Sequence, residues 1–295
     1  MNRDVKKGSL FLLGAAFFYS IMPVLIRTLE SNGIPPVSQV FLRYIFAFIS
    51  AVIYHFIIAR LRFVRPNNKI MLLLFATIFG YGLTNLFYTI AVLNTQVSNA
   101  LFLFFTFAIM APILGFIFLK EKVNKFNTSA LILSLIALLL LFQPNGLSTW
   151  KIGGIFALMS AFTQASYLIA RKRLKEYSAS FMMLANTFFG VLALGILSLI
   201  FESNFYFGGS INHLSVSTWI TTILFGVLNF LGWFCATKGF EYFRSSSASI
   251  ILLSELVFGV FFALIFFKEV PTYLTLIGGL LIIISSAVVI LRGES

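Results

Sequence analysis

The chain has 295 residues, of which 60% are apolar and 10% charged, and its mean hydropathy is +1.00. A soluble domain of this size needs far more polar surface to cover its core, so the composition excludes one and points to a lipid bilayer as solvent. The net charge of +12 sits in short clusters between apolar runs, as membrane topology requires and nucleic-acid binding does not, while one cysteine (Cys235) and two histidines (His55, His213) exclude an intrachain disulfide and a Cys- or His-rich metal or haem site.

A spanning helix needs about 20 mainly apolar residues. Ten such segments follow one another, at 8–29, 37–59, 70–93, 97–119, 127–143, 152–172, 180–201, 217–240, 246–267 and 272–291. None alternates with period two, which disfavours a barrel. The first follows Arg3, Lys6 and Lys7 but ends in no small-residue cleavage site, so it is expected to be a retained span. The second holds Arg43 and places His55 near its end, at the membrane interface. In the third, Tyr81, Asn85 and Tyr88 recur at helical spacing on one face. The sixth carries Gln164 and Tyr167 three apart, and the eighth carries Asn229 and Trp233 four apart. Glu255 lies about nine residues into the ninth, near the midplane. Such amide and charged groups are expected to face the bundle interior, because lipid offers them no partner. The runs Gly14-Ala15-Ala16, Ser245-Ser246-Ser247 and Gly278-Gly279 let helices approach closely.

Basic residues set the orientation. With the N-terminus inside, 17 Lys and Arg fall on the inner side, only Lys151 and Lys268 fall outside, and Arg27 and Arg43 lie within spans. The expectation is an all-α, multi-pass cell-membrane protein of ten transmembrane helices with both termini cytoplasmic.

The halves repeat. Residues 98–123 align with 246–271 at an offset of about 148: Ser98 matches Ser246, Ala100 matches Ala248, Ile117-Phe118 matches Ile265-Phe266, and Lys120-Glu121 matches Lys268-Glu269. The same offset sets Asn229 against Tyr81 and Trp233 against Asn85. Two five-helix units, 8–143 and 152–291, result. Five is odd, so the second unit must insert upside down, as an inverted repeat of the transporter kind.

With Phe118-Leu119-Lys120-Glu121, Phe266-Phe267-Lys268-Glu269, the Gly278-Gly279 stretch and Phe41-Leu42-Arg43-Tyr44, nearly the whole chain resembles the EamA-type members of the drug/metabolite transporter superfamily. The resemblance implies a duplicated five-helix fold and export of small metabolites or amino acids across a plasma membrane, driven by protons or by the substrate gradient. The family often carries proline about 13 residues before the acid of the Lys-Glu pair. Here those positions are Ala108 and Leu256, which leaves a kink at that point open.

The candidate substrate-binding residues are Arg43, Tyr81, Asn85, Tyr88, Gln164, Tyr167, Asn229, Trp233 and Glu255. Each has a plainer reading as helix-packing glue. A charge in the bilayer costs about 2.5–3.5 kcal/mol by insertion scales, so Glu255 is either a ligand for substrate or proton or an interhelical hydrogen-bonding group. Arg43 can grip a carboxylate bidentately, and Glu255 with Trp233, Tyr81 and Tyr88 can receive an ammonium. A zwitterionic amino acid fits this set, and an amphipathic cationic drug fits Glu255 and the aromatics. The sequence holds no phosphate loop, paired catalytic carboxylates or Ser/His/Asp set, so an enzyme and an ATP-driven pump are both disfavoured, and no cofactor or metal is expected. A non-transporting membrane subunit would need neither Glu255 nor repeated polar faces. The partners expected are a small-molecule substrate, the lipid bilayer and, as a candidate coupling ion, the proton, with no nucleic acid.

Overall fold

The computed structural model describes residues 3–60, 69–95, 97–120, 125–142, 152–267, 270 and 272–292. Glu121 and the Lys268-Glu269 pair of the repeated motif lie outside these. The apolar runs are helices α1 (Asp4–Ser31), α2 (Pro36–Ile58), α3 (Ile70–Asn94), α4 (Asn99–Leu119), α5 (Lys125–Phe142), α6 (Ile152–Arg173), α7 (Ala179–Phe201), α8 (Val216–Gly239), α9 (Ser245–Leu252 and Ser254–Phe267) and α10 (Tyr273–Arg292). Among the described residues there is no strand, and eight of these helices are long and apolar enough to cross a membrane, while the apolar stretches of α5 and α9 are shorter. Helices dominate because hydrocarbon offers backbone groups no partner and a helix satisfies them within itself. Leu10, Met71, Phe116, Ile200 and Phe201 point outward, the reverse of a soluble surface.

The two halves interlock rather than sit side by side. Helix α1 packs on α8 and α6 on α3, α2 on α8 and α7 on α3, and α1 on α9 and α6 on α4, while α2 pairs with α7, α4 with α9 and α5 with α10. Adding five to a helix of the first half, and subtracting five from one of the second, turns this set into itself. That is the signature of a two-fold relation between repeats. Helices α2 and α7 run antiparallel. At one end of α2 and α7, Ser38 Oγ and Ser198 Oγ are 2.8 Å apart, and at the other His55 Nδ1 and Ser180 Oγ are 2.9 Å apart. Glu202, just past α7, accepts from the Val37 and Ser38 backbone N–H groups at 2.8 and 2.6 Å, which closes the start of α2. Small residues set the closest approaches. A Cβ on Gly226 would clash with Phe46 Cβ and lie 2.7 Å from the Arg43 carbonyl oxygen, so α8 can reach α2 only with glycine there.

One expectation needs correction. His55 does not meet the membrane interface: it is 1% exposed, because a wide helical turn over Ile53–Ile58 and its bond to Ser180 turn it inward. The third and eighth spans end on equivalent contacts: a Cβ on Gly153 would meet Asn94 and Thr95, and one on Gly8 would meet Tyr242 and Phe243, each 148 residues further on.

The helices break at matching places. Helix α4 loosens at Phe105-Thr106 and α9 at Leu253, 148 residues after Phe105. Neither break needs a proline at 108 or 256. Tight turns replace the helical ladder: Ala108 N donates to Phe105 O at 3.0 Å, and Leu256 N donates to Leu253 O at 3.0 Å. Helix α1 breaks at Ile21, one residue before Met22-Pro23, where proline cannot supply a helical N–H.

Candidate functional site

The breaks converge on one cavity. It is lined by Tyr19 and Met22 beside the α1 break, Phe104 beside the α4 break, Glu255 beside the α9 break, and by Arg43, Thr84, Asn85, Tyr88, Gln164, Asn229 and Trp233. Its volume is about 40 Å³. At 10–15 Å³ per water, that is room for about three waters, so a larger solute enters only when helices part.

A guanidinium and a carboxyl group share this space without meeting. Arg43 is 1% exposed; its Nη2 reaches the Asn85 carbonyl and Thr89 Oγ1 only at 3.4 and 3.5 Å, its Nε has no partner, and its Cζ lies 4.5 Å from the centre of the Phe225 ring. Glu255 is 6% exposed and forms no hydrogen bond or ion pair with any described residue. It sits in the first turn of the second segment of α9, where free backbone N–H groups and the helix dipole favour a negative charge. Tyr19 OH, Tyr88 OH and Gln164 Oε1 are also buried and unpartnered. Buried polar groups are nearly always hydrogen-bonded, so this many idle ones around one cavity suit a polar ligand.

Below the cavity lies an aromatic layer. The Trp233 ring centre is 4.3 Å from that of Tyr81, 5.0 Å from Tyr167 and 6.0 Å from Tyr19. Asn229 Nδ2 donates to Tyr81 OH at 3.2 Å, and the Tyr81 carbonyl accepts from Tyr44 OH and Asn85 Nδ2 at 3.1 and 3.0 Å. Tyr81 stands in a wide helical turn, Phe75–Gly82, a distortion common at functional sites. Beyond the layer, Asn186 Nδ2 donates to Tyr167 OH at 2.9 Å, and Tyr167 OH lies 3.2 Å from Thr237 Oγ1. The end is closed by Arg171, whose Nη2 meets Glu241 Oε1 at 2.8 Å, with Lys238 on Oε2 at 2.6 Å.

Of the nine residues singled out from the sequence, Arg43, Asn85, Tyr88, Gln164, Asn229, Trp233 and Glu255 line the cavity, and Tyr81 and Tyr167 form its floor with Trp233. Sequence reasoning missed Tyr19, Met22, Thr84 and Phe104. The Met22-Pro23 step marked a break at the first pair, and Thr84 follows Tyr81 by three residues on the same face.

The comparisons agree with this architecture. The chain matches the EamA-like transporter family twice, over residues 6–143 and 151–291. It is 25% identical to an uncharacterized transporter of Clostridium kluyveri over 96% of this chain and 93% of that one, and 21% identical to the pseudopaline exporter CntI of Pseudomonas aeruginosa over 95% of each. It is also 23% identical to mouse (Mus musculus) solute carrier family 35 member G1, over 92% of this chain and 77% of that one. A solved crystal structure at 14% identity superposes with a TM-score of 0.76 over 98% of this chain and 99% of the other, a likeness of fold. With two family matches spanning nearly all of its length, the chain belongs to the EamA-like transporter family: it is a multi-pass membrane transporter and not an enzyme.

Proposed function

We propose that the protein exports a zwitterionic, amino-acid-like metabolite across the cell membrane by alternating access, with both termini cytoplasmic. The observation that carries this reading is the pair of buried ionisable groups, the Arg43 guanidinium and the Glu255 carboxyl, lining one cavity without pairing. Each charge alone is costly in a bilayer, and a solute bearing a carboxylate and an ammonium neutralises both. Arg43 takes the carboxylate through its guanidinium fork. Glu255 takes the ammonium, with Tyr19, Tyr88 and Trp233 offering aromatic faces to it. Asn85, Gln164 and Asn229 fix the orientation. When the carrier returns empty, Glu255 holds a proton in place of the ammonium, which would couple export to the proton gradient. The break in α9 beside Glu255 and the break in α1 beside Tyr19 supply the joints about which the halves exchange. One relative is named as an exporter, in keeping with outward transport.

The second reading, export of amphipathic cations, draws on Glu255 and the aromatics but leaves Arg43 without a role. Comparing the metabolites released by cells with and without the protein separates the two. We expect solutes carrying both an amine and a carboxylate to accumulate outside. Raised tolerance to cationic drugs with no such accumulation would favour the second reading.

A further inference from the structure

Beyond the cavity, a cluster of buried polar side chains around Asn186 has no role yet. Asn186 is the eighth residue of α7, as Arg43 is the eighth of α2, so the repeat sets an amide where the other half has a guanidinium. Asn186 is 0% exposed. Its Nδ2 bonds Tyr167 OH, which lies 3.2 Å from Thr237 Oγ1, while its Oδ1 has no partner. One layer nearer the cavity, Gln164 Oε1 is likewise buried and unpartnered, one turn before Tyr167 on α6. A buried carbonyl oxygen without a donor is costly, and two at successive depths form a line of acceptors from the cavity towards the Arg171–Glu241 pair.

We propose that Asn186, Tyr167 and Thr237 form a second binding site, which takes the ammonium of the solute from Glu255 by way of Gln164 and Trp233 when the cavity opens towards the Arg171–Glu241 end. This rests on the zwitterion reading for the identity of the solute, but the site itself is defined by its acceptors. A neutral amide holds an ammonium less tightly than a carboxylate does, which suits a site that loads or releases solute on one side only. In an inverted repeat, the halves trade conformations between the two states, so the place equivalent to that of Arg43 becomes open when the Arg43 side closes.

The test uses a protein with one thiol, Cys235→Ser with Thr237→Cys, in membrane vesicles of both orientations. The probes are ethylammonium methanethiosulfonate and its ethylsulfonate analogue. With each rate scaled to that with a free thiol, we expect the ammonium reagent to react about tenfold faster than the sulfonate, the size of a hydrogen bond to a charged group, and the membrane-impermeant sulfonate to react only in the orientation that exposes the Arg171–Glu241 end. Adding Asn186→Leu, which matches the volume and removes the acceptor, should abolish the preference, and Asn186→Gln should restore part of it. No labelling in either orientation, no preference, or a preference that survives Asn186→Leu would overturn the proposal. The labelling needs no knowledge of the transported solute: failure of the intact protein to exchange amino acids would remove the zwitterion reading and leave the acceptor site standing.

Discussion

Arg43→Leu is expected to lower amino-acid counterflow about a hundredfold while the protein still folds and reaches the membrane. The guanidinium rests on the Phe225 ring and makes only long contacts, at 3.4 and 3.5 Å, to the Asn85 carbonyl and Thr89. Leucine keeps the contact with Phe225, and replacing a poorly paired buried charge by an apolar group is often neutral or stabilising. The solute's carboxylate, by contrast, loses its only buried cation in the cavity, a loss of about 2–5 kcal/mol for a desolvated pair, or roughly 30- to several-thousand-fold in binding. Arg43→Lys keeps the charge but not the fork and should fall between. The measurements are counterflow in proteoliposomes and the unfolding temperature in detergent. Normal counterflow in the leucine variant would assign Arg43 to helix packing alone.

Glu255→Gln has the second large effect. The carboxylate has no partner among the described residues, so glutamine removes a charge without breaking a bond within the protein. Two measurements split its roles. Accumulation driven by an imposed pH gradient should be abolished, because no group remains to exchange proton for solute. Counterflow should persist with an apparent affinity at least about tenfold weaker, because a neutral amide replaces the charge facing the ammonium. Loss of pH-driven movement with unchanged counterflow would confine Glu255 to carrying the proton. Normal rates under both conditions would make it an interhelical hydrogen-bonding group and remove it from the mechanism.

The helices and their number were legible because the bilayer imposes one rule, about 20 apolar residues per crossing, that composition alone reveals. The repeat was legible through Lys120-Glu121 and Lys268-Glu269, although most of that motif lies outside the described residues. The breaks in α4 and α9 were not legible. They have no proline at Ala108 or Leu256, and they arise from tight turns at Phe105-Thr106 and Leu253 that leave no residue signature. Since Tyr19, Met22 and Phe104 line the cavity only because their helices break there, they were missed together. His55 was misplaced for a related reason. Its position near a helix end suggested the interface, but its partner Ser180 comes from the other half of the chain, 125 residues away. Asn186 was overlooked because its equivalence to Arg43 shows only once the starts of α2 and α7 are fixed, each residue being the eighth of its helix.

The central claim is that one cavity reads a carboxylate and an ammonium on the same solute. Counterflow of a labelled mixture of the twenty standard amino acids, competed by unlabelled leucine, N-acetyl-leucine and leucine methyl ester, tests it most directly. The account predicts that free leucine competes and that each blocked form competes at least about tenfold less well, because each leaves one of the two buried charges unanswered. Competition by the methyl ester equal to that of the free amino acid would leave Arg43 with nothing to recognise and contradict the account.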